Sequence, residues 1–280
     1  MIYLEEQLQI IRALRGWVLP CCSVLLPIFI FLDSHTYYNM LIAFVWVGVS
    51  WRWGMRLGGL SLISHFINGQ AKLFFAMPRP GYYDPTISSL HWESYGFPSG
   101  AAQTAMVLGF LLVYGWKSRW AWPCATLYVL IISASRVLLG VHFVVDLLGG
   151  WGLGVILGGL FVALIHPLES FASRKSGVLL SEVLAIAVLG LAILPAKISP
   201  LFIMAAVGSI GVFISTKYGL YLPIERRSVC RRTFHGLAAA GGVLLLSLMP
   251  DFFGYQSNVA AALIAIWITL LVSPFCKRLM

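Results

Sequence analysis

The chain has 280 residues, 60% of them hydrophobic and 10% charged, with a mean hydropathy of +0.89. An average soluble domain is about one quarter charged, so the composition argues against a soluble fold, and the lack of strand-like alternation argues against a β-barrel. The net charge of +9 does not point to nucleic acid, because the basic residues lie in short connectors between apolar runs.

Apolar runs recur along the chain. A membrane span needs roughly 20 mostly apolar residues, and in the hydrocarbon core a helix satisfies every backbone group within itself. Spans are predicted at 17–33, 38–54, 57–76, 99–116, 120–138 and 144–166. A second group is predicted at 178–194, 200–216, 234–250 and 258–275. The expected fold class is therefore an all-α integral membrane protein, with residues 1–170 as one domain and 171–280 as an additional helical bundle without a visible motif. The first run follows the charged stretch from Glu5 to Arg15 and lacks a cleavage site, so it reads as an uncleaved first helix. Cys21, Cys22, Cys124, Cys230 and Cys276 form neither a disulfide framework nor metal-ligand spacing, and read as small apolar fillers. No metal or other cofactor is expected.

The segment 77–98 breaks the pattern. Pro78, Pro80 and Pro85 and many polar groups make it an ordered loop at a membrane face. Orientation follows from the bias of Lys and Arg toward cytoplasmic loops. With ten spans and a cytoplasmic N-terminus, 15 of the 19 basic residues, Arg12 and Arg15 among them, fall on the cytoplasmic side. Both termini are then cytoplasmic. Lys72, Arg79, Arg136 and Lys197 remain on the outer side, and the first three need another reason to be there.

That reason is anion chemistry. Span three ends in Lys72, followed by Arg79-Pro80; span four opens with Pro98-Ser99-Gly100-Ala101; span five ends in Ser135-Arg136, and His142 and Asp146 follow. Ionisable residues at such depths are functional candidates by default. Arg79 and Arg136 can clamp phosphate through planar forks, with Lys72 as a compact charge. Ser99-Gly100 opens a helix whose free N–H groups favour an anion. The four-residue spacing of His142 and Asp146 lets a carboxylate orient an imidazole that attacks phosphorus.

The ordered set Lys72-x6-Arg79-Pro80, Pro98-Ser99-Gly100, and Ser135-Arg136-x5-His142-x3-Asp146 resembles the type 2 phosphatidic acid phosphatase superfamily, which includes lipid phosphate phosphatases and undecaprenyl-diphosphate phosphatases. The resemblance covers roughly residues 17–166 and implies a six-helix phosphatase core, with about four further C-terminal transmembrane helices beyond it. It implies that Lys72, Arg79, Ser99, Gly100 and Arg136 bind phosphate, that His142 is the nucleophile and Asp146 its partner, and that the phosphatase chemistry needs no metal. The chain departs from the family at Ala101, where the second motif normally carries a His that protonates the leaving oxygen. General acid–base help is typically worth about 10²–10⁴-fold. The gap is least costly when the leaving group is itself a phosphate, so a lipid diphosphate is the expected preferred substrate, and His91 is the candidate substitute acid. The expected partners are this lipid phosphate or diphosphate and the surrounding membrane lipids. The compact chain points to a bacterial inner membrane with the site extracytoplasmic. Two alternatives share the same core: a lipid phosphotransferase, and a catalytically inactive lipid-phosphate binder or transporter. Oligomeric state is not legible.

The glycines of span six, Gly149, Gly150, Gly152, Gly154, Gly158 and Gly159, are read as close-packing positions and not as a nucleotide loop, because no strand precedes them. Tryptophans near span ends, Trp116, Trp120 and Trp122 among them, read as an interfacial belt.

Overall fold

The computed structural model describes residues 2–88, 94–172, 200–220, 228–253 and 257–273, and every regular element among them is helical. The elements are α1 (Ile2–Cys22), α2 (Leu26–Leu32), α3 (His35–Phe44, continued by a π-helical turn Val45–Val49), α4 (Trp51–Phe75), the single turn α5 (Pro80–Tyr83), α6 (Gly100–Trp116), α7 (Ala121–Leu138) and α8 (Val144–Ala172). Then come α9 (Pro200–Lys217), α10 (Val229–Phe253) and α11 (Ser257–Ile266, continued by a π-helical turn Trp267–Leu271). The predicted spans 99–116, 120–138 and 144–166 correspond closely to α6, α7 and α8. The predicted span 178–194 and Lys197 lie outside the described residues.

Among the described residues, two helices are long and apolar enough to cross a membrane, Ala121–Leu138 and Val144–Pro167, or three if Leu26–Leu32 and His35–Val49 count together. Gly100–Trp116, Ala206–Ser215 and Val259–Leu271 are shorter apolar helices. The chain is a helical membrane protein; among the described residues, fewer helices reach full spanning length than the ten spans expected. The first predicted span shows why. Residues 17–33 are not one helix, because the chain breaks at Ser23–Leu25 and restarts with Pro27 in the first turn of α2. Proline has no N–H to give an α-helical interior but fits a first turn.

The residues form two compact units. One comprises Met1–Ser34 and Ile63–Leu164, and the other His35–Leu62 and Ile165–Met280. The second unit is built around α3 on α10 and α9 on α11. A Cβ on Gly236 would lie 2.7 Å from Phe44 Cδ2, so the Phe44 ring of α3 packs on the bare backbone of α10. Arg232 also donates from Nε to Gly48 O at 3.0 Å and from Nη2 to Val49 O at 3.2 Å, capping carbonyls that the end of the helix leaves open.

All the candidate site residues fall in the first unit. There α6 packs along α7, and α8 lies against α6 with almost no side chain between them. A Cβ on Gly150 would stand 2.5 Å from Ser99 O, one on Gly154 2.5 Å from Met106 Cβ, and one on Gly158 2.4 Å from Phe110 Cγ. This four-residue row is a helix-packing seam. Gly152 and Gly159, read from sequence as part of the same set, have nothing within 4 Å and play no part in it.

The N-terminal helix overturns one expectation. Leu8 and Ile11 are buried in a cluster with Ile87, Ala102, Val137, Phe143 and Leu147, joined by Leu4. Gln7 accepts from the Val144 N–H at 3.1 Å, and Arg15 donates to Leu138 O at 2.7 Å. Arg12 donates from Nη2 to Asp84 Oδ2 at 2.6 Å, inside the loop 77–98. Arg12 and Arg15 therefore lie at the same end of the unit as that loop, where the charge count expects them at the opposite end. Counting charges treats 5–15 as a hydrophilic lead-in. The spacing of Leu4, Leu8, Ile11 and Arg15 is that of an amphipathic helix with one face to bury.

Candidate active site

Three backbone turns bring the site together. The first follows α4, where the chain leaves the helix at Ala76 and Arg79 ends up just ahead of α5. The second is the N-terminus of α6. Ser99 is its N-cap; its Oγ accepts from Ala102 N at 3.4 Å, and its own N–H donates to Asp146 O at 2.9 Å. That bond ties the start of α6 to the start of α8. The third turn links α7 to α8 through Gly140. Its φ is +70°, and a Cβ there would lie 2.2 Å from Ile87 O, so only glycine fits.

His142 sits at the centre, buried at 4% exposure. Its Nδ1 is 3.1 Å from Asp146 Oδ2, and its Nε2 is 3.2 Å from Nη1 of Arg79. A guanidinium only donates. Nε2 must therefore present its lone pair to Arg79, and the ring proton resides on Nδ1, donated to Asp146. The Phe143 N–H donates to the same Oδ2 at 2.9 Å and fixes the carboxylate. Burial, reinforced by the cations of Arg79 and Lys72, pushes the imidazole down to about 4 against the opposing pull of Asp146. The ring is thus neutral, with its nucleophilic nitrogen aimed at a cation.

Arg79 is held in place by donating from Nε to Ser94 O (2.8 Å), from Nη2 to Ser94 Oγ (2.9 Å) and from Nη1 to Val141 O (3.0 Å). Burial lowers it to about 10, which leaves it charged at neutral pH. Lys72 donates to Tyr95 O at 2.5 Å and Gly96 O at 3.2 Å, so two of the three candidate-site cations brace the loop that precedes Ser99. Gly100 lies against Asn68, whose Oδ1 would be 2.9 Å from a Cβ at that position.

Arg136 is placed differently from the expectation that it clamps phosphate alongside Arg79. It is 2% exposed, and its guanidinium is taken up by the protein. Nη1 donates to Asp33 Oδ2 at 2.7 Å, Nη2 to Phe29 O at 2.5 Å and to Ser135 Oγ at 3.0 Å, and Nε to Ser135 Oγ at 3.1 Å. Asp33 carries no sequence signal beyond being an acidic residue at the end of an apolar run. Sequence reasoning also missed a buried network behind the Pro-Ser-Gly turn. Gln103 donates to Ser64 O and Ser64 Oγ, both at 2.9 Å, and accepts from Asn68 Nδ2 at 2.9 Å; Asn68 also donates to Pro98 O at 3.3 Å. Its only trace in the sequence is Ser64 and Asn68 among the polar residues of α4, and Gln103 in the apolar α6. Ala101 is buried with Ala105, Val129 and Ile132, against Leu32, Met106, Tyr128 and Trp151. His91, the candidate substitute acid, lies outside the described residues. Among the described residues, no three His, Cys, Asp or Glu side chains gather as a metal would require.

Residues 53–169 match the family model of the PAP2 superfamily. The chain is similar to sphingosine-1-phosphate phosphatase 2 of Mus musculus, at 26% identity over 49% of this chain and 39% of that protein. It is also similar to phosphatidylglycerophosphatase B of Bacillus subtilis, at 35% identity over 30% of this chain and 46% of that protein, and to lipid phosphate phosphatase delta of Arabidopsis thaliana, at 33% identity over 30% and 23%. The matched PAP2 stretch thus spans less than half the length of each of these relatives. Among solved structures, a transmembrane PAP2 type phosphatidylglycerolphosphate phosphatase from Bacillus subtilis aligns over 58% of this chain and 86% of its own, with a TM-score of 0.49 and 24% identity.

Proposed function

We propose that this protein is a membrane phosphatase that hydrolyses lipid phosphates through a phosphohistidine on His142. The observation that carries the reading is the pinning of His142 between Asp146 and Arg79, with the Nε2 lone pair directed at a guanidinium. A phosphate oxygen that takes over the Arg79 Nη1–H brings phosphorus next to Nε2. Attack forms the N–P bond as the P–O bond to the lipid breaks, and the electron pair leaves on that oxygen. The Nδ1 proton stays in its bond to Asp146, which stabilises the charged ring. Water then attacks phosphorus, the N–P bond breaks, and its electron pair returns to Nε2. Lys72 and the N-terminus of α6 at Ser99 and Gly100 balance the charge of the transferring group.

A lipid substrate is supported by the surface beside these residues. Leu73 and Phe74 next to Lys72, and Tyr82 close to Arg79, are 67%, 81% and 79% exposed. Each exposes apolar surface close in sequence to a site cation, of a kind that suits acyl or prenyl chains. The relatives at hand, named for sphingosine-1-phosphate and phosphatidylglycerophosphate, are phosphatases of lipid monoesters. Ala101 pulls this chain toward a different leaving group. With an alkyl side chain in an apolar cluster at the acid position, an alkoxide must leave unprotonated, whereas a diphosphate expels a phosphate that needs little help. We infer a preference for polyprenyl diphosphate-like lipids. The end of α6 and α7 remote from the site carries Lys117 and Arg119, which by the positive-inside bias faces the cytoplasm. The site end, with α1 packed on it, is then extracytoplasmic.

The decisive experiment is phosphate release by purified protein from a polyprenyl diphosphate and from phosphatidic acid, with His142→Ala as control. The expected outcome is faster turnover of the diphosphate and no turnover in the variant. Activity that survives His142→Ala would overturn the mechanism, and faster turnover of phosphatidic acid would overturn the preference.

A further inference from the structure

We propose that Asp33 is a resident anion in the phosphate site, a carboxylate that occupies Arg136 and gives it up when a phosphate group arrives, so that it sets how tightly phosphate is held. The inference rests on the reading of Lys72, Arg79 and His142 as a phosphate-handling site.

The geometry around Arg136 carries it. A guanidinium has five N–H donors. One on Nε, both on Nη2 and one on Nη1 are directed at Ser135 Oγ, Phe29 O and Asp33 Oδ2. A phosphate oxygen that binds Arg136 must therefore meet it at Nη1, directly beside the N–H that Asp33 already takes. The partners on the other two nitrogens are a neutral hydroxyl and a backbone carbonyl, and they orient the fork without opposing an incoming anion. Asp33 alone brings a charge of the same sign as the substrate. The pair is also lopsided: the Arg136 side chain is 2% exposed and the Asp33 side chain 21%. Asp33 caps the short helix α2, at an end where the backbone carbonyls disfavour an anion. The ion pair with Arg136 offsets that cost, and the carboxylate is the more exposed partner of the two. Its charge also reaches Lys72 and Arg79 electrostatically, so it reduces the pull of all three cations on phosphate.

This arrangement has a use. Inorganic phosphate and a lipid phosphate head group share the oxygens that Arg136 recognises. Three unopposed cations would hold the released phosphate and slow the next cycle. A competing carboxylate weakens both complexes and lets product leave.

The test is binding of inorganic phosphate to the purified full-length chain by calorimetry, together with KM and kcat for phosphatidic acid in mixed micelles. Wild type, Asp33→Asn and Arg79→Gln are compared. Asp33→Ser is a second charge-removing variant, smaller than Asn, for use if the amide does not fold. Loss of the charge is expected to tighten inorganic phosphate by about ten- to a hundredfold, the worth of one charge-assisted hydrogen bond. It should also lower KM for the lipid and leave kcat equal or reduced, because product leaves slowly. A carboxylate that merely braces Arg136 gives the opposite result, weaker phosphate and a higher KM, and that outcome overturns the proposal. Wild-type phosphate binding that Arg79→Gln abolishes, with no gain in either Asp33 variant, overturns the proposal and leaves the site reading standing. No phosphate binding by any of the proteins overturns both.

Discussion

The contact between α8 and the start of α6 allows a demanding test, because one added methyl group should disable the site from outside it. In Gly150→Ala the new Cβ would lie 2.5 Å from Ser99 O and 3.1 Å from Gln103 N, while ordinary contact begins near 3.4 Å. Both obstacles are backbone, so neither can rotate away, and α8 must retreat from α6 by about 0.9 Å, the difference between 2.5 and 3.4 Å. The retreat strains the Ser99 N–H bond to Asp146 O, 2.9 Å long, and with it the register between the phosphate-binding turn and the His142–Asp146 pair. Overpacking of this kind costs about 1–3 kcal/mol, and a misplacement near 1 Å at a reacting centre costs about 10²-fold in rate. We expect kcat/KM for phosphate release in mixed micelles to fall by roughly two orders of magnitude and thermal stability in detergent to drop modestly. Gly152→Ala is the control: nothing lies within 4 Å of its Cβ, and Ala is the better helix former by up to about 1 kcal/mol. Full activity in Gly150→Ala, or equal damage in Gly152→Ala, would refute the reasoning.

Three further outcomes are expected. In the proposed mechanism the neutral imidazole is the nucleophile, and its environment holds it at about 4 against an ordinary 6.5, so the acid limb of kcat/KM should lie well below pH 6 and move upward in Arg79→Gln, which removes a cation that disfavours ring protonation; a wild-type limb near 6.5 would contradict this. The same shift has a stability consequence of fixed sign: below about 6.5 the unfolded chain binds a proton that the folded ring refuses, so stability falls as the pH drops toward 4. For topology, single cysteines at Gln9 and Tyr82, both exposed, in a background without other cysteines should react with a membrane-impermeant maleimide from the same side of the membrane, and labelling from opposite sides would show that α1 does not lie beside the site loop.

The helices that carry the chemistry were the legible part of the sequence. Long apolar runs, the first of them opened by Ser99-Gly100, announce α6, α7 and α8, and the motif spacing follows from those boundaries. Less legible were features in which a residue type has two uses. Arg12 and Arg15 look like topology signals, since charge counting cannot tell a cytoplasmic arginine from one that crosses to Asp84 or Leu138. Ser64, Asn68 and Gln103 look like scattered polar residues in membrane helices, and only their convergence behind Pro98 gives them a role. Arg136 is the sharpest case. Its position in the third motif points to phosphate, and its bonds point to Asp33, an acid 103 residues earlier in the chain. The two readings agree if the carboxylate and the phosphate take turns on one guanidinium. A site that must release its product needs a cation whose pull is held in check, and here the check comes from a part of the chain that no motif includes.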